Sequence, residues 1–543
     1  MKKRTLNKLF ALVLTGAMAF TMLAGCGSST ESTTTETAVE TETTVESEVE
    51  APEVEAGESV LELAVTTGDG STTDDKIPTP WYNRIFATNL MFRSLFISDA
   101  TLANVEGDLA ESYTVSEDAL TYTITLKEGL AWSDGEVLDA EDVIFSIETG
   151  LAAANINSIY TAAFSKITDL SAEGNVITIV LSEAYTDLIP VLAQFAILPQ
   201  HSLAEVDPLT LDTDAFWTAP VTSGMYMLEE LNVGNYFTLV LNPHYEGTTP
   251  QITKVINYFV SDFITAAQSG TVDYMFTNAA DQVESMEAMD NFTSHQVDVL
   301  FYKYFMFNME GIDGNQNEAM QNVAVREAII TAVDRATLSS LYPSALVLNS
   351  GVPDANEAYN GFVYEYDAEA AKVAIAESGY DMSRTLKICY YNNDQTSIDL
   401  INTVVYYLEQ VGFTVEATLS NDGTTDLFTT RDYDIGFKGK SSFSITEWYT
   451  EYMSTDALFA NVFGGTTEFD GLVSQLTSAT DEATRNDVLT QLQELEQEKV
   501  YKVPVFTVGT YVYTSDSVTV PEDVTFCNPL YNCDVDFANW TMQ

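Results

Sequence analysis

The chain has 543 residues, of which 46% are hydrophobic and 11% aromatic, so it can bury more than one core and is not disordered throughout. Its 81 acidic residues far outnumber its 22 basic residues and give a formal net charge of −59. This balance excludes nucleic acid as a partner, because a polyanion is bound by Lys and Arg side chains that displace its counterions.

Residues 1–26 have the pattern of an export signal. A basic start (residues 2–8) precedes an apolar run (residues 9–24) that is too short to span a membrane. The sequence Leu23-Ala24-Gly25-Cys26 matches a lipobox, in which the sulfur of Cys26 is acylated and Cys26 becomes the first residue of the mature protein. Lipid chains on Cys26 would hold the protein on a membrane without a spanning helix.

Residues 27–59 differ completely from the rest of the chain. They are rich in Thr, Ser, Glu, Val and Ala and contain no aromatic or basic residue. Such a segment buries too little apolar surface to offset its ordering entropy, and its like charges extend it. We predict a disordered acidic stalk, and its length favours a thick-walled envelope of the Gram-positive type.

The first strongly patterned unit runs from Leu109 to Glu148. Residues 120–127 alternate between apolar and polar side chains, which predicts a half-buried strand. Asp134-Gly135 forms a turn signal, since Gly adopts positive φ without a Cβ clash. Asp139 is placed to cap a following helix whose first turn is acidic.

This unit, LAESYTVSEDALTYTITLKEGLAWSDGEVLDAEDVIFSIE, resembles the signature segment of the family 5 solute-binding proteins of ABC importers, the peptide/nickel-type group. Further segments resemble the same family in the order in which the family has them. They are residues 224–247, 302–308, 323–335, 366–380 and 503–506. The resemblance extends from about residue 60 to about residue 510 and therefore covers nearly the whole mature body.

The resemblance implies an α/β, two-lobed periplasmic-binding-protein-like fold, of type II and of the large three-subdomain variety, with a hinge of two crossing strands. Strand, helix and strand patterns from Leu386 to Leu419 independently predict a parallel sheet. On the family's plan, residues 60–303 form lobe I with a subdomain near 81–215, residues 304–503 form lobe II, and residues 504–543 return to lobe I.

Motifs of enzymes and of cofactor sites are not found. The chain has no G-x-S-x-G or H-E-x-x-H, and its three histidines are widely spaced, so we expect no enzyme activity, cofactor or metal. Residues 436–441 end in Gly-Lys-Ser, but their glycines are too close together for a phosphate-binding loop. Cys389 lies in a strand pattern and is expected to be a buried thiol. The sequence permits a disulfide between Cys527 and Cys533 but does not decide it.

In peptide-binding members of the family, a loop after a second-lobe strand carries an Asp that pairs with the α-amine of the peptide. Here that position falls near Ser442 or Phe443, so the carboxylate is missing unless Glu447 or Glu451 replaces it. Lys438 and Lys440 favour a carboxylate, phosphate or hydroxyl-rich partner, or are solvated loop lysines. Nearby aromatic side chains stack on a ligand or pack in the core. The predicted ligand-binding residues are Phe437, Lys438, Lys440, Glu447, Trp448 and Tyr449.

The resemblance therefore predicts a monomeric, lipid-anchored receptor that captures a small solute outside the cytoplasm and delivers it to an ABC permease. An oligopeptide is the first expectation for the solute. A glycan, a small acid or a metal complex is the alternative, and it accounts better for the missing Asp. A surface sensor that has this fold but does not serve a permease is a second alternative. A tethered hydrolase is disfavoured by the lack of a nucleophile–base pattern.

Overall fold

The computed structural model describes residues 52, 57–66, 75–82, 84–99, 102, 104–153, 156, 158–297, 300–312, 317–342, 345–442 and 444–543. The predicted export signal, Cys26, nearly all of the predicted stalk and Phe443 lie outside this set. Within it, none of the helices combines the length and the apolar character that crossing a membrane requires.

The unit around residues 109–148 folds as its pattern predicts. The strand Thr121–Leu126 alternates between buried and half-buried side chains and pairs antiparallel with both neighbours. The carboxylate of Asp139 accepts a hydrogen bond of 2.9 Å from the Glu141 backbone N–H and caps the helix Ala140–Ala152. The strand belongs to a four-stranded sheet whose order is Ala110–Val115, Thr121–Leu126, Val176–Leu181 and Ile167–Glu173.

The described residues form two larger sheets. The first has seven strands, in the spatial order Phe292–Val297, Thr510–Ser515, Tyr274–Thr277, Val60–Thr66, Lys254–Val260, Tyr236–Leu241 and Tyr226–Asn232. Val60–Thr66 runs parallel to both of its neighbours, whereas the other pairs are antiparallel. Leu61, Leu63 and Val65 alternate along this strand with half-buried residues and enter a large apolar core.

The second sheet has six strands, in the spatial order Ala345–Val347, Lys502–Val508, Phe301–Phe307, Ile435–Ser441, Thr385–Tyr390 and Thr414–Leu419. The last two strands pair in parallel and are joined by the helix Gln395–Gln410, which confirms the predicted strand–helix–strand unit. Cys389 lies on one of these strands as a buried free thiol, as predicted.

The chain crosses between the two large sheets twice. It leaves the first sheet after Val297 and returns to it at Thr510. The strands Phe301–Phe307 and Lys502–Val508 belong to the second sheet over their whole length, so the predicted boundaries at 303/304 and 503/504 fall inside strands. The two-lobed α/β class is confirmed, while the division of the chain into domains stays a prediction.

Helices surround these sheets. In the part of the chain before residue 300 the described helices are Phe86–Met91, Ala140–Ala152, Ser158–Phe164, Leu188–Gln194, Gln200–Leu203, Phe263–Gln268 and Ala280–Glu287. After residue 300 they are Glu318–Gln321, Val323–Thr331, Arg335–Ser339, Ala368–Ser378, Gln395–Gln410, Gly423–Thr425, Thr446–Thr450, Phe459–Phe463, Asp470–Ser478 and Glu482–Lys499. Two short strand pairs are Phe96–Ser98 with Val105–Gly107 and Val518–Thr519 with Thr541–Met542. Short 3₁₀ helices at Pro208–Thr213, Ala215–Thr218 and Phe537–Asn539 and a π-helical turn at Asp426–Thr430 complete the described regular structure.

Apolar residues recur at helical spacing from Trp81 to Phe96, which predicts a helix of that length, but the helix spans only Phe86–Met91. Phe92 is already extended, and Ser94 forms a strand bridge with Ala196, so a long-range contact ends the helix. Gly224 packs directly on the helix end, where its N–H donates a hydrogen bond of 2.7 Å to the Met91 carbonyl. A Cβ added at Gly224 would lie 2.2 Å from the Leu90 carbonyl oxygen.

We expect Gly224→Ala to lower the free energy of unfolding by about 1–3 kcal/mol or more, because its methyl group would meet backbone rather than a movable side chain. The matched control is Gly471→Ala, in the first turn of Asp470–Ser478, where an added Cβ has no neighbour within 4 Å. There the same substitution is expected to raise stability by about 0.5–1 kcal/mol. Urea denaturation of both variants measures the contrast, and equal effects would contradict it.

Candidate functional site

A cavity of about 600 Å³ lies between the two large sheets. The strands Val60–Thr66 and Tyr274–Thr277 form one wall, and residues 80–82 and 84–87, which lead into the helix Phe86–Met91, form another. The second sheet contributes Phe301, Ser441 and Val508. The cavity is therefore bounded by both lobes and lies beside the two chain crossings.

Most of the described residues that line this cavity are apolar or aromatic, as in typical small-molecule sites. Asp, Glu and Lys do not occur among these residues, and Arg84 is the only Arg among them. Its neutral polar lining includes Gln194, Asn257, Thr277, Asn278, Gln282, Ser441, Thr510 and Asn528.

Arg84 is 6% exposed and lies just before the helix Phe86–Met91. Its Nη1 donates a hydrogen bond of 2.6 Å to the Asn89 side chain, and its Nη2 donates one of 2.7 Å to the Gln194 carbonyl. Its Nε has no hydrogen-bond partner among the described residues. Burial lowers the pKa of Arg84, because the charged form loses its hydration.

Two further cavity residues carry unpaired polar atoms. Asn257, in the middle of the strand Lys254–Val260, is 1% exposed, and neither atom of its amide has a partner within the described structure. The hydroxyl of Tyr82 is likewise buried without a described partner, and burial raises its pKa to about 12. Buried polar atoms are nearly always hydrogen-bonded, so these groups mark a place where a bound molecule can supply the missing contacts.

The last segment of the chain closes one side of the cavity. Cys527 and Cys533 form a disulfide, which settles the pairing that the sequence left open. The loop between them carries Asn528, Leu530 and Tyr531 into the cavity lining. The side chain of Asn89 fixes this loop by donating hydrogen bonds to two of its carbonyl groups.

The lobes also meet beside the cavity. Asp187, from the four-stranded-sheet region, accepts hydrogen bonds from Ser444 and, at 3.4 Å, from Thr446. Arg485 lies 3.8 Å from the same carboxylate. The Thr186 N–H donates a hydrogen bond of 2.9 Å to the Thr477 carbonyl. These contacts hold the two lobes against each other in the arrangement described.

The predicted ligand lysines lie on the strand Ile435–Ser441 rather than on a loop, and both are half-buried. Lys440 is 3.2 Å from Glu451 and 3.9 Å from Glu447. Lys502, which is fully buried, lies 2.6 Å from Glu451, and Lys438 is close enough to act on the same carboxylate. We call Lys438, Lys440, Glu451 and Lys502 the ionic cluster.

Charges in the ionic cluster stabilise one another. Burial on its own would raise the pKa of Glu451, but Lys502, Lys440 and Lys438 together lower it to about 2. Burial lowers the pKa of Lys502 to about 8, while Glu451 opposes that shift. The Glu451 carboxylate and the Lys502 ammonium therefore each favour the charged form of the other.

The predicted aromatic ligand residues are packed inside the second lobe. Phe437 is 1% exposed, and its ring centroid lies 5.4 Å from that of Phe305, with the two rings tilted by 50°. Trp448 and Tyr449 are fully buried. Trp448 donates a hydrogen bond of 2.6 Å to Glu496, whose pKa is raised by burial.

Of the predicted set, none is among the described residues lining the cavity, although Ser441, next to Lys440, is. Burial raises the pKa of the cavity residue Tyr531, and the nearby charge of Glu447 raises it further. The ligand-binding role of the six residues stays a prediction.

The sequence pattern missed Arg84, Asn257 and Tyr531. One signal was present, because Arg84 lies in an apolar stretch, residues 76–98, that contains no Asp or Glu.

The described residues contain no group of three or more His, Cys, Asp or Glu side chains that could hold a metal ion. The cavity offers a bound molecule apolar contact and a few polar groups.

Residues 104–470 match the sequence model of the bacterial extracellular solute-binding proteins, family 5 (Middle). A Brucella ovis protein named as an ABC transporter peptide-binding protein is 28% identical over 340 residues, covering 60% of this chain and 62% of that protein. The nickel-binding periplasmic protein of Escherichia coli is 26% identical over 332 residues, covering 59% and 61%. The chain thus spans about three fifths of the length of these relatives.

The fold has solved counterparts. The ABC transporter substrate-binding protein CtaP of Listeria monocytogenes superposes with a TM-score of 0.73 at 20% identity, covering 89% of this chain and 99% of CtaP. At this identity the likeness establishes the two-lobed fold and leaves the solute open.

Proposed function

Because this chain belongs to the family 5 bacterial extracellular solute-binding proteins, we propose that it captures a small solute outside the cytoplasm and delivers it to an ABC importer. We infer an oligopeptide as the first candidate solute, in line with the name of the Brucella relative. The protein acts as a monomeric receptor and makes or breaks no covalent bond.

The cavity between the lobes carries this proposal. Its volume of about 600 Å³ lies within the range of small-molecule sites, about 300–1,000 Å³, and residues of both lobes line it. Two crossing segments join the lobes, which is the geometry of hinge closure around a ligand. Closure would bury the solute and bring the two lobe surfaces into the relation that a permease recognises.

A peptide would be held mainly through its backbone, which lets many side chains be accepted. Glu447, near Tyr531, is the carboxylate best placed to meet the amine of a peptide. A second candidate, a non-peptide solute such as a small acid, a glycan or a metal complex, is favoured by one observation. No carboxylate occurs in the described lining, in which Ser441 is the residue next to the position of the family's Asp.

Native mass spectrometry of the full-length protein, purified without refolding, tests the capture of a solute. Adducts of peptide mass are the expected result, and a single non-peptide adduct would favour the second candidate. A spectrum without adducts, together with no thermal shift in peptide, sugar and organic-acid pools, would contradict the receptor function. A permease gene beside this one would favour transport over sensing.

The anchoring is proposed from the sequence alone. Cys26 carries the lipid, and residues 27–59 hold the body away from the membrane. Metabolic labelling with a fatty acid is expected to mark the protein in the membrane fraction, and Cys26→Ala should abolish the label and release the protein. The control Cys389→Ala, which removes a different thiol, should keep both. Label that survives in the Cys26 variant would refute the anchor.

A further inference from the structure

We propose, on the basis of the receptor function above, that the solute carries an anionic group, a carboxylate or a phosphate, and that this group binds Arg84. Arg84 lines the cavity, and its described surroundings in that cavity hold no carboxylate. An anionic group of the solute would supply the counter-charge that the described lining of the cavity does not give Arg84.

Two other buried arginines, Arg93 and Arg335, have fuller sets of partners than Arg84, whereas Arg431, outside the cavity lining, also has an Nε without a described partner. Arg93 pairs with Asp108 at 2.7 Å and with Glu246 at 2.5 Å. Arg335 donates to four acceptors, three of which are backbone carbonyl groups. Arg84 has only two acceptors, both neutral, and its Nε–H has none.

The energy of such a site favours an anion strongly. A buried cation without a counter-charge loses its hydration, and this loss lowers the pKa of Arg84. A carboxylate or phosphate recovers that energy through charge-assisted hydrogen bonds, and the planar guanidinium suits both groups. An ammonium group at the same place would be repelled.

The rest of the cavity fits the remainder of such a solute. The amide of Asn257 offers an unpaired donor and an unpaired acceptor, and the hydroxyl of Tyr82 offers one of each. Both are neutral, so they can bind polar groups without adding charge. The apolar and aromatic lining then packs on the carbon skeleton.

The net charge of −59 also has a consequence for this site. The protein as a whole repels an anionic solute, so Arg84 acts at short range and does not steer the solute from a distance. Salt screens the repulsion, so we expect association of an anionic solute to become faster as ionic strength rises.

The test uses matched probes on the full-length protein, measured by isothermal titration and thermal shift. They are a tripeptide pool with free carboxylates, the same pool with amidated C-termini, glutarate, and glycerol 3-phosphate with glycerol as its neutral counterpart. At least one anionic probe should bind about 30-fold or more tightly than its neutral counterpart, as expected for a buried charge pair. The carboxylate and phosphate arms decide which anion is used.

Arg84→Gln should remove most of that preference, and Arg84→Lys should restore part of it, because charge is kept while the planar donors are lost. Lys372→Gln, which removes one positive charge from the protein surface, is the matched control and should change nothing. The comparison of tripeptides with free and with amidated C-termini needs only the wild-type protein, so it tests the proposal even where a variant fails to fold.

Equal binding of charged and neutral probes, an unchanged preference in Arg84→Gln, or no binding of any anionic probe would each overturn the role of Arg84. These outcomes differ from failure of the receptor function. A neutral or cationic adduct in native mass spectrometry would keep the receptor and refute the anion, whereas the absence of every adduct and every thermal shift would refute both.

Discussion

Replacing Glu451 with glutamine is expected to lower the free energy of unfolding by about 3–5 kcal/mol, although this residue lies in a segment that the sequence assigns to ligand binding. The reason is the buried ammonium of Lys502, which lies 2.6 Å from the Glu451 carboxylate and 3.7 Å from the centre of the Trp448 ring. Glutamine keeps the shape of the side chain but leaves the lysines without their counter-charge. Urea denaturation at pH 7 measures the loss.

Two controls separate charge from shape. Glu369→Gln breaks an exposed ion pair with Lys372 and should change stability by less than about 0.5 kcal/mol. The double variant Glu451→Leu with Lys502→Met removes both central charges and should lose less than Glu451→Gln alone. If the double variant is the less stable of the two, the ionic cluster does not stabilise the lobe through charge pairing.

Acid should weaken the same cluster. The folded pKa of Glu451, about 2, is below the ordinary value of 4.5, so its contribution is complete above pH 4.5 and is lost as the pH falls from 4.5 towards 2. The wild-type advantage over Glu451→Gln is therefore expected to shrink by about 3 kcal/mol across that range. Denaturation of both proteins at pH 7, 4 and 2.5 follows the change, and a constant difference would show that the carboxylate is not the titrating group.

Trp448→Ala is the second change for which we expect a large effect, a loss of about 3–5 kcal/mol. The indole is fully buried, its ring centroid is 4.7 Å from that of Tyr302, and its N–H is bound to Glu496. Removing the indole would leave a cavity and also take a hydrogen bond from a buried acid. Thermal and urea unfolding of the variant measure the loss.

The matched control is Tyr406→Ala, which removes an aromatic ring that is 58% exposed on the helix Gln395–Gln410. We expect that change to stay within about 0.5 kcal/mol. A Trp448→Ala protein that is as stable as the wild type but no longer binds its solute would instead support the ligand role predicted from the sequence.

The sequence predicts best where structure is decided locally. The strand Thr121–Leu126 and the capped helix Ala140–Ala152 follow from alternation, a Gly turn and an Asp cap, all within forty residues. The spacing of residues 81–96 does not show where the helix Phe86–Met91 ends, because Ala196 and Gly224, which make the contacts at its end, are more than a hundred positions away. Tertiary contacts override local spacing there.

The candidate site was less predictable for the same reason. Its lining brings together residues 63–65, 80–82, 84–87, 257, 274–279, 282, 528, 530 and 531, which no spacing rule connects. In residues 437–449, a Lys or a Trp looks the same in the sequence whether its side chain contacts a solute or a buried Glu. Glu496, 48 positions beyond Trp448, accepts the hydrogen bond of its indole and lies in that buried interior.

The disulfide between Cys527 and Cys533 has a consequence for the thermodynamics of capture. It ties off the loop that carries Asn528, Leu530 and Tyr531, so that wall loses most of its conformational freedom when the protein folds and oxidises. An arriving solute then has fewer backbone states to freeze, and more of its contact energy is retained as affinity. The entropy cost of ordering this wall arises once, when the protein folds and the disulfide forms. It does not arise again each time a solute binds.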